Sequence, residues 1–183
     1  MDKLAKQQVI SEAFEYWNAG RLIEAGQTIF ESIPVAYRHR WAAEILQVAS
    51  QRFPKLAEVD AVLEFATTPD KYGRGRESNY SEAHRIVDAV NWRDSLILKL
   101  ATQVGKVVYT AQQYPAPYDH NAGWRIVEVL KQIVQQVNDA DFAKTAWATL
   151  CNEKYIELDK PVMCHPACPV CYTNGLVSKQ NGA

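Results

Sequence analysis

Long apolar runs, net charge and cysteine are all scarce in this chain. No stretch reaches the roughly 18 consecutive apolar residues that a membrane-spanning helix needs. The first twenty, MDKLAKQQVISEAFEYWNAG, hold neither an unbroken apolar core nor a small-residue cleavage site. The expectation is therefore a soluble, cytoplasmic protein without a signal peptide or a membrane partner. Twenty lysines and arginines stand against 21 aspartates and glutamates, and a formal net charge of -1 offers no global field to draw in nucleic acid or an anionic surface. Any electrostatic function must be local. Only four cysteines occur in 183 residues, and three of them crowd the C-terminal part, which is not the even framework of a disulfide-stapled secreted domain.

Apolar residues supply 48% of the chain and charged ones 22%, as in a globular protein large enough to build its own core. They recur at helical spacing almost throughout. A first helix is predicted over 3–18, with Leu4, Ile10, Phe14 and Trp17 on the inward stripe and Gly20 as its stop. A second covers 21–33, turning Leu22, Ala25, Ile29 and Ile33 inward before Pro34. A third covers 36–52, with Tyr37, Trp41, Ile45, Val48 and Ala49 inward and Pro54 beyond it, and a fourth covers 55–67. Residues 68–80, TPDKYGRGRESNY, break the pattern and read as a loop. Ser81 opens a long helical stretch that bends near Asn91 and runs through Leu96, Leu100, Val104, Val107 and Ala111. Its VGKVVYTA portion is rich in β-branched residues and competes as a strand, but the spacing of four set by Leu96, Leu100 and Val104 favours helix. A Pro-stiffened loop over 114–123 precedes a helix from Trp124 to Val137. Asp139 or Asp141 caps a last helix carrying Phe142, Ala146, Trp147 and Leu150 inward. The fold class read from this is all-α: a bundle of about seven helices over 1–154, followed by a non-helical, cysteine-rich tail over 155–183.

At 13–32 the spacing of Ala13, Tyr16, Gly20, Ala25 and Ile29 resembles a single tetratricopeptide hairpin, in which small residues let two helices approach closely around a glycine turn. The resemblance implies an antiparallel helix pair there. No second copy follows about 34 residues later, where Pro54 replaces the glycine, so no repeat array is implied.

The most informative stretch is Cys164-His165-Pro166-Ala167-Cys168-Pro169-Val170-Cys171. Thiols separated by three and then two residues can converge on one centre if the backbone turns tightly, as Pro166 and Pro169 favour. A structural zinc ion takes four sulfur or imidazole ligands in a tetrahedron. Cys164, Cys168 and Cys171 supply three; Cys151, at the end of the last helix, is the natural fourth, with His165 as its substitute. An iron–sulfur cluster is the alternative cofactor, since it needs the same thiolates and C-x3-C-P echoes a ferredoxin-type ligand run. C-x3-C-x2-C is also similar to the cluster motif of radical S-adenosylmethionine enzymes, but the large α/β domain that follows the motif there is missing here. Cys168-Pro-Val-Cys171 resembles a redox pair without the surrounding βαβ pattern. The bland reading is a set of free or oxidised thiols in a polar tail.

Positive charge concentrates in two places. Residues 36–55 hold Arg38, Arg40, Arg52 and Lys55 against Glu44 alone, and the 71–76 loop holds Lys71, Arg74 and Arg76 ahead of a helix start. Arginines beside a helix N-terminus can hold a phosphate, which makes nucleic acid an alternative partner; pairing of the loop with Asp70, Glu77 and Glu82 on a solvated surface is the simpler outcome. Catalytic groups are thin. His84 and Asp88 share a helix face, and His39 and His120 lie elsewhere, but no HExxH or Glu-x-x-His set accompanies them. The function these residues point to is a non-enzymatic helical adaptor or regulatory protein that binds another protein and carries a structural zinc motif. A redox or iron–sulfur enzyme using the cysteine cluster is the alternative of a different class.

Overall fold

In a computed structural model of the chain the described residues are 3–67, 85–89, 95–111 and 120–156. Seven helices organise them: α1 (Lys3–Asn18), α2 (Leu22–Glu31), α3 (Val35–Ser50), α4 (Ala57–Thr67), α5 (Leu96–Ala111), α6 (His120–Val137) and α7 (Ala140–Leu150). Residues 85–89 are also helical, and no strand occurs among the described residues. The all-α reading therefore holds. No helix among the described residues is long and apolar enough to cross a membrane. The cysteine-rich segment, 157–183, lies outside the described residues, as do the positions of the loop expected over 68–80, of the helix start expected at Ser81 and of the bend expected near Asn91.

α3 and α5 form the centre. They pack on each other and share α4 on one side and α6 on another; α7 closes against α3 and α6, while α2 is sandwiched between α1 and α6. The β-branched VGKVVYTA stretch belongs wholly to α5. Leu100, Val104, Val107 and Val108 are fully or almost fully buried there, so packing on one helical face overrides β propensity.

Turn chemistry fixes the connections. α1 stops at Gly20, whose φ of 74° lies in the left-handed region, and Arg21 N donates to the Tyr16 carbonyl to close the helix end. Asn138, at φ 50°, makes the same kind of break between α6 and α7. Asp139, rather than Asp141, caps α7: its carboxylate accepts from the backbone N–H groups of Asp141 and Phe142, both at 2.9 Å. α6 begins at His120, four residues before the predicted start, so part of the expected 114–123 loop is its first turn.

Two glycines let α2 and α6 meet closely. A Cβ on Gly26 would stand 2.8 Å from the Trp124 Cα, and one on Gly123 would strike the Phe30 ring. Trp41, wholly buried on α3, donates its indole N–H to the Leu150 carbonyl at 2.9 Å and so satisfies a helix-end acceptor of α7. The packed body runs through Tyr155 and Ile156, both buried, which carries it slightly past the boundary expected at 154.

α1 departs from the predicted packing. Ala13 and Trp17 are its buried residues, whereas Leu4 is 70% exposed and Phe14 45% exposed. The expected inward stripe is turned outward along part of its length, and that face contributes to the site described next.

Candidate interaction groove

Apolar residues of α1 face α7 across an open groove. Ile10, Phe14 and Trp17 project from α1 at spacings of three and four, so they share a helical face; Ala143 and Trp147 form the opposing wall. The groove encloses about 630 Å³, within the usual range of ligand-sized clefts. Its aromatic floor is ordered by ring contacts. Phe14 meets Trp147 edge-on, with centroids 5.0 Å apart at 60°, and Trp17 lies 5.4 Å from Trp147.

Charged groups flank the groove. Lys144 lines it, and Lys131 Nζ sits 4.5 Å over the Trp17 ring. Burial lowers the Lys131 pKa. Glu153 lines it as well, and its carbonyl accepts from Lys6 Nζ at 2.8 Å, which ties the residues after α7 to the first turns of α1.

A second cleft, of about 550 Å³, lies between α3 and α4 and is lined by His39, Arg40, Glu44, Leu63, Thr67 and Tyr155 among others. Burial alone would raise the Glu44 pKa, but hydrogen bonds from Lys154 Nζ and the Tyr155 hydroxyl, each 2.6 Å from Oε1, hold it below the ordinary carboxyl value. Tyr155 is shifted upward, first by burial and then by its bond to Glu44. An ionised carboxylate with two committed donors is a structural anchor rather than a free base.

The basic residues expected to form one face do not do so. Arg38 is only 3% exposed. Its Nε donates to the Ile33 carbonyl at 2.9 Å, its Nη2 stands 3.6 Å from Glu31 Oε2, and its guanidinium covers the Phe30 ring at 4.2 Å. Arg40 is exposed and faces the α3–α4 cleft. Arg52 pairs with Asp139 at 3.4 Å and Lys55 with Asp60 at 3.4 Å. Charge that looked like one patch in sequence is thus divided between the core and separate surface pairs, because successive residues on a helix point in different directions. Lys71, Arg74 and Arg76 lie outside the described residues, as does His84.

Of the expected metal ligands, Cys164, Cys168, Cys171 and His165 fall outside the described residues. Cys151 is described: it is 7% exposed, belongs to the core, and its thiol is pushed up to about 12 by burial. Without a metal such a thiol is protonated, and ligation of zinc would displace that proton. No group of three or more potential metal-ligating side chains occurs among the described residues. His39 is buried on α3, and Asp88 is exposed in the 85–89 segment.

Periodicity missed the groove because it read Phe14 as core; Ile10, also read as inward, does pack against the core while lining the groove. A usable signal was present: Ala13 with Trp17 forms a second i, i+4 pair on α1, and a small residue facing a neighbouring helix marks the closer approach. Comparison with known proteins adds no relative: no family model, no curated protein and no solved structure matches the chain.

Proposed function

We propose that this protein is a non-enzymatic helical adaptor whose α1–α7 groove receives an amphipathic helix of a partner protein. The observation that carries the reading is the outward presentation of Phe14 beside Trp147 on an apolar floor. Exposed aromatic side chains already ordered against one another bind with little further loss of conformational freedom, which is the usual character of anchor pockets at protein interfaces. Helix-in-groove recognition needs apolar anchors on the partner at spacings of three and four.

The test uses a helical probe peptide of about fifteen residues with leucines at i, i+4 and i+7. The full chain is labelled with fluorotryptophan and its signals assigned by single Trp→Phe variants. The proposal expects the Trp147 and Trp17 signals to move on titration while that of buried Trp41 stays fixed. Movement confined to Trp124, or none, contradicts it.

The second part of the proposal is a zinc ion held by Cys164, Cys168 and Cys171 as a folding element of the C-terminal segment. The support is the spacing of the thiols between prolines. Cys151, at the end of α7, is the proposed fourth ligand, with His165 as its substitute. Elemental analysis of protein purified without added metal should find one zinc per chain, lost on Cys168→Ser. A brown preparation assigns an iron–sulfur cluster instead.

A further inference from the structure

We infer that the cleft where α2 and α5 pack on α6 binds a small phosphate monoester carrying hydroxyl groups, the chemistry shared by sugar phosphates and nucleoside monophosphates. This cleft has no lining residue in common with the α1–α7 groove, so the inference does not depend on the reading of that groove.

The helices that build the cleft are held together by packing. α6 packs on both α2 and α5, and the close approach of Gly26 to Trp124 draws α2 in. On α6, Arg125, Glu128 and Gln132 are spaced by three and then four residues and share one face; on α5, Lys99 and Gln103 lie one turn apart. With Ile23 of α2 they line a recess of about 400 Å³, a size that takes a small ligand.

Charge distinguishes this recess. Arg21, Arg52, Lys55, Lys144 and Lys154 each pair with a carboxylate. Lys99 and Arg125 enter one cleft from neighbouring helices, and neither makes an ion pair among the described residues. Lys99 is half-buried as well. Like charges sharing a recess repel, and an ammonium partly withdrawn from water without a counter-ion is unfavourable. An anion held by both relieves the two costs together through charge-assisted hydrogen bonds.

The remaining lining selects among anions. Glu128 is the one acidic residue of the cleft and makes no ion pair among the described residues. It repels a bare phosphate but accepts hydrogen bonds from hydroxyl groups, and the amides of Gln103 and Gln132 both donate and accept. Ile23, 58% exposed, and Val129 add apolar surface. A sugar phosphate satisfies the charged and hydroxyl-binding parts; a nucleoside monophosphate also covers the apolar wall.

The experiment titrates the full, fluorotryptophan-labelled chain with ribose 5-phosphate, adenosine monophosphate, ribose and inorganic phosphate. Calorimetry gives affinity, and the signal of Trp124, which lines the cleft, gives location. Both esters should bind at least about tenfold more tightly than ribose or inorganic phosphate. They should move the Trp124 signal and leave those of Trp17 and Trp147 fixed. Tighter binding of adenosine monophosphate that is lost in Ile23→Ser assigns the base to the apolar wall; equal binding of the two esters assigns a sugar-phosphate site.

Lys99→Gln and Arg125→Gln should each weaken ester binding by at least about tenfold. Lys3→Gln, on α1 and outside the cleft, should not. Both cleft side chains reach solvent, so the variants should keep the urea midpoint of the native chain. Failure of both esters to bind, or movement of Trp147 in place of Trp124, overturns the inference. So does inorganic phosphate binding as tightly as the esters, or ester affinity unchanged by both substitutions. None of these outcomes alters the helical-probe titration, so the two readings stand or fall separately.

Discussion

A thiol is nucleophilic only as thiolate, and Cys151 is held away from that state by its surroundings. Its burial at the end of α7 pushes the thiol up to about 12. In native protein at mildly alkaline pH, iodoacetamide should leave Cys151 unmodified, and should alkylate it once the chain is unfolded in urea. Peptide mapping checks this. Modification at the rate of a free thiol contradicts the packing, and protection that disappears on adding a chelator would assign it to a metal. Glu44 makes a prediction of the opposite kind. Bonds from Lys154 and Tyr155 leave its folded-state pKa below the ordinary value. Its contribution to stability is therefore present above the unfolded pKa and lost as pH falls through the folded one. Glu44→Gln should lower the urea midpoint more near neutral pH than in acid below the ordinary carboxyl range, where protonation of the native residue removes its ionic contribution. An equal loss at both pH values would remove the ionic account.

At the scale of the helix, close approach matters more than periodicity. α2 and α6 pack where Gly26 meets the Trp124 backbone, and the 2.8 Å spacing to Trp124 Cα leaves no flexible side chain that could move aside. Gly26→Ala should destabilise the fold by about 1–3 kcal/mol despite alanine's better helix propensity. Equilibrium unfolding measures it; a neutral or stabilising result would contradict the contact. Much at this scale was legible in sequence. Pro34, Pro54 and Gly20 mark real helix ends, and the spacing of Leu100 and Val104 correctly favours helix over strand. The face that α1 buries was not legible, because Phe14 and Ala13 are adjacent and a one-residue rotation decides which of them meets the core. Arg38 illustrates the same limit: its neighbours in sequence are basic, but Glu31 and Phe30, one helix earlier, determine where it points.

Across the whole molecule, α3 and α5 form a well-buried centre, while α1 and α7 leave an aromatic groove open at the surface. The central claim is that Phe14 serves binding rather than folding. Phe14→Glu in the full chain separates the two, read by urea unfolding and by titration with the leucine-bearing helical probe. The account predicts a change in stability within about 1 kcal/mol, as for a surface substitution, together with at least a tenfold loss of probe affinity. A loss of stability on the scale of a core truncation, with probe affinity unchanged, would show instead that Phe14 belongs to the packing of the fold.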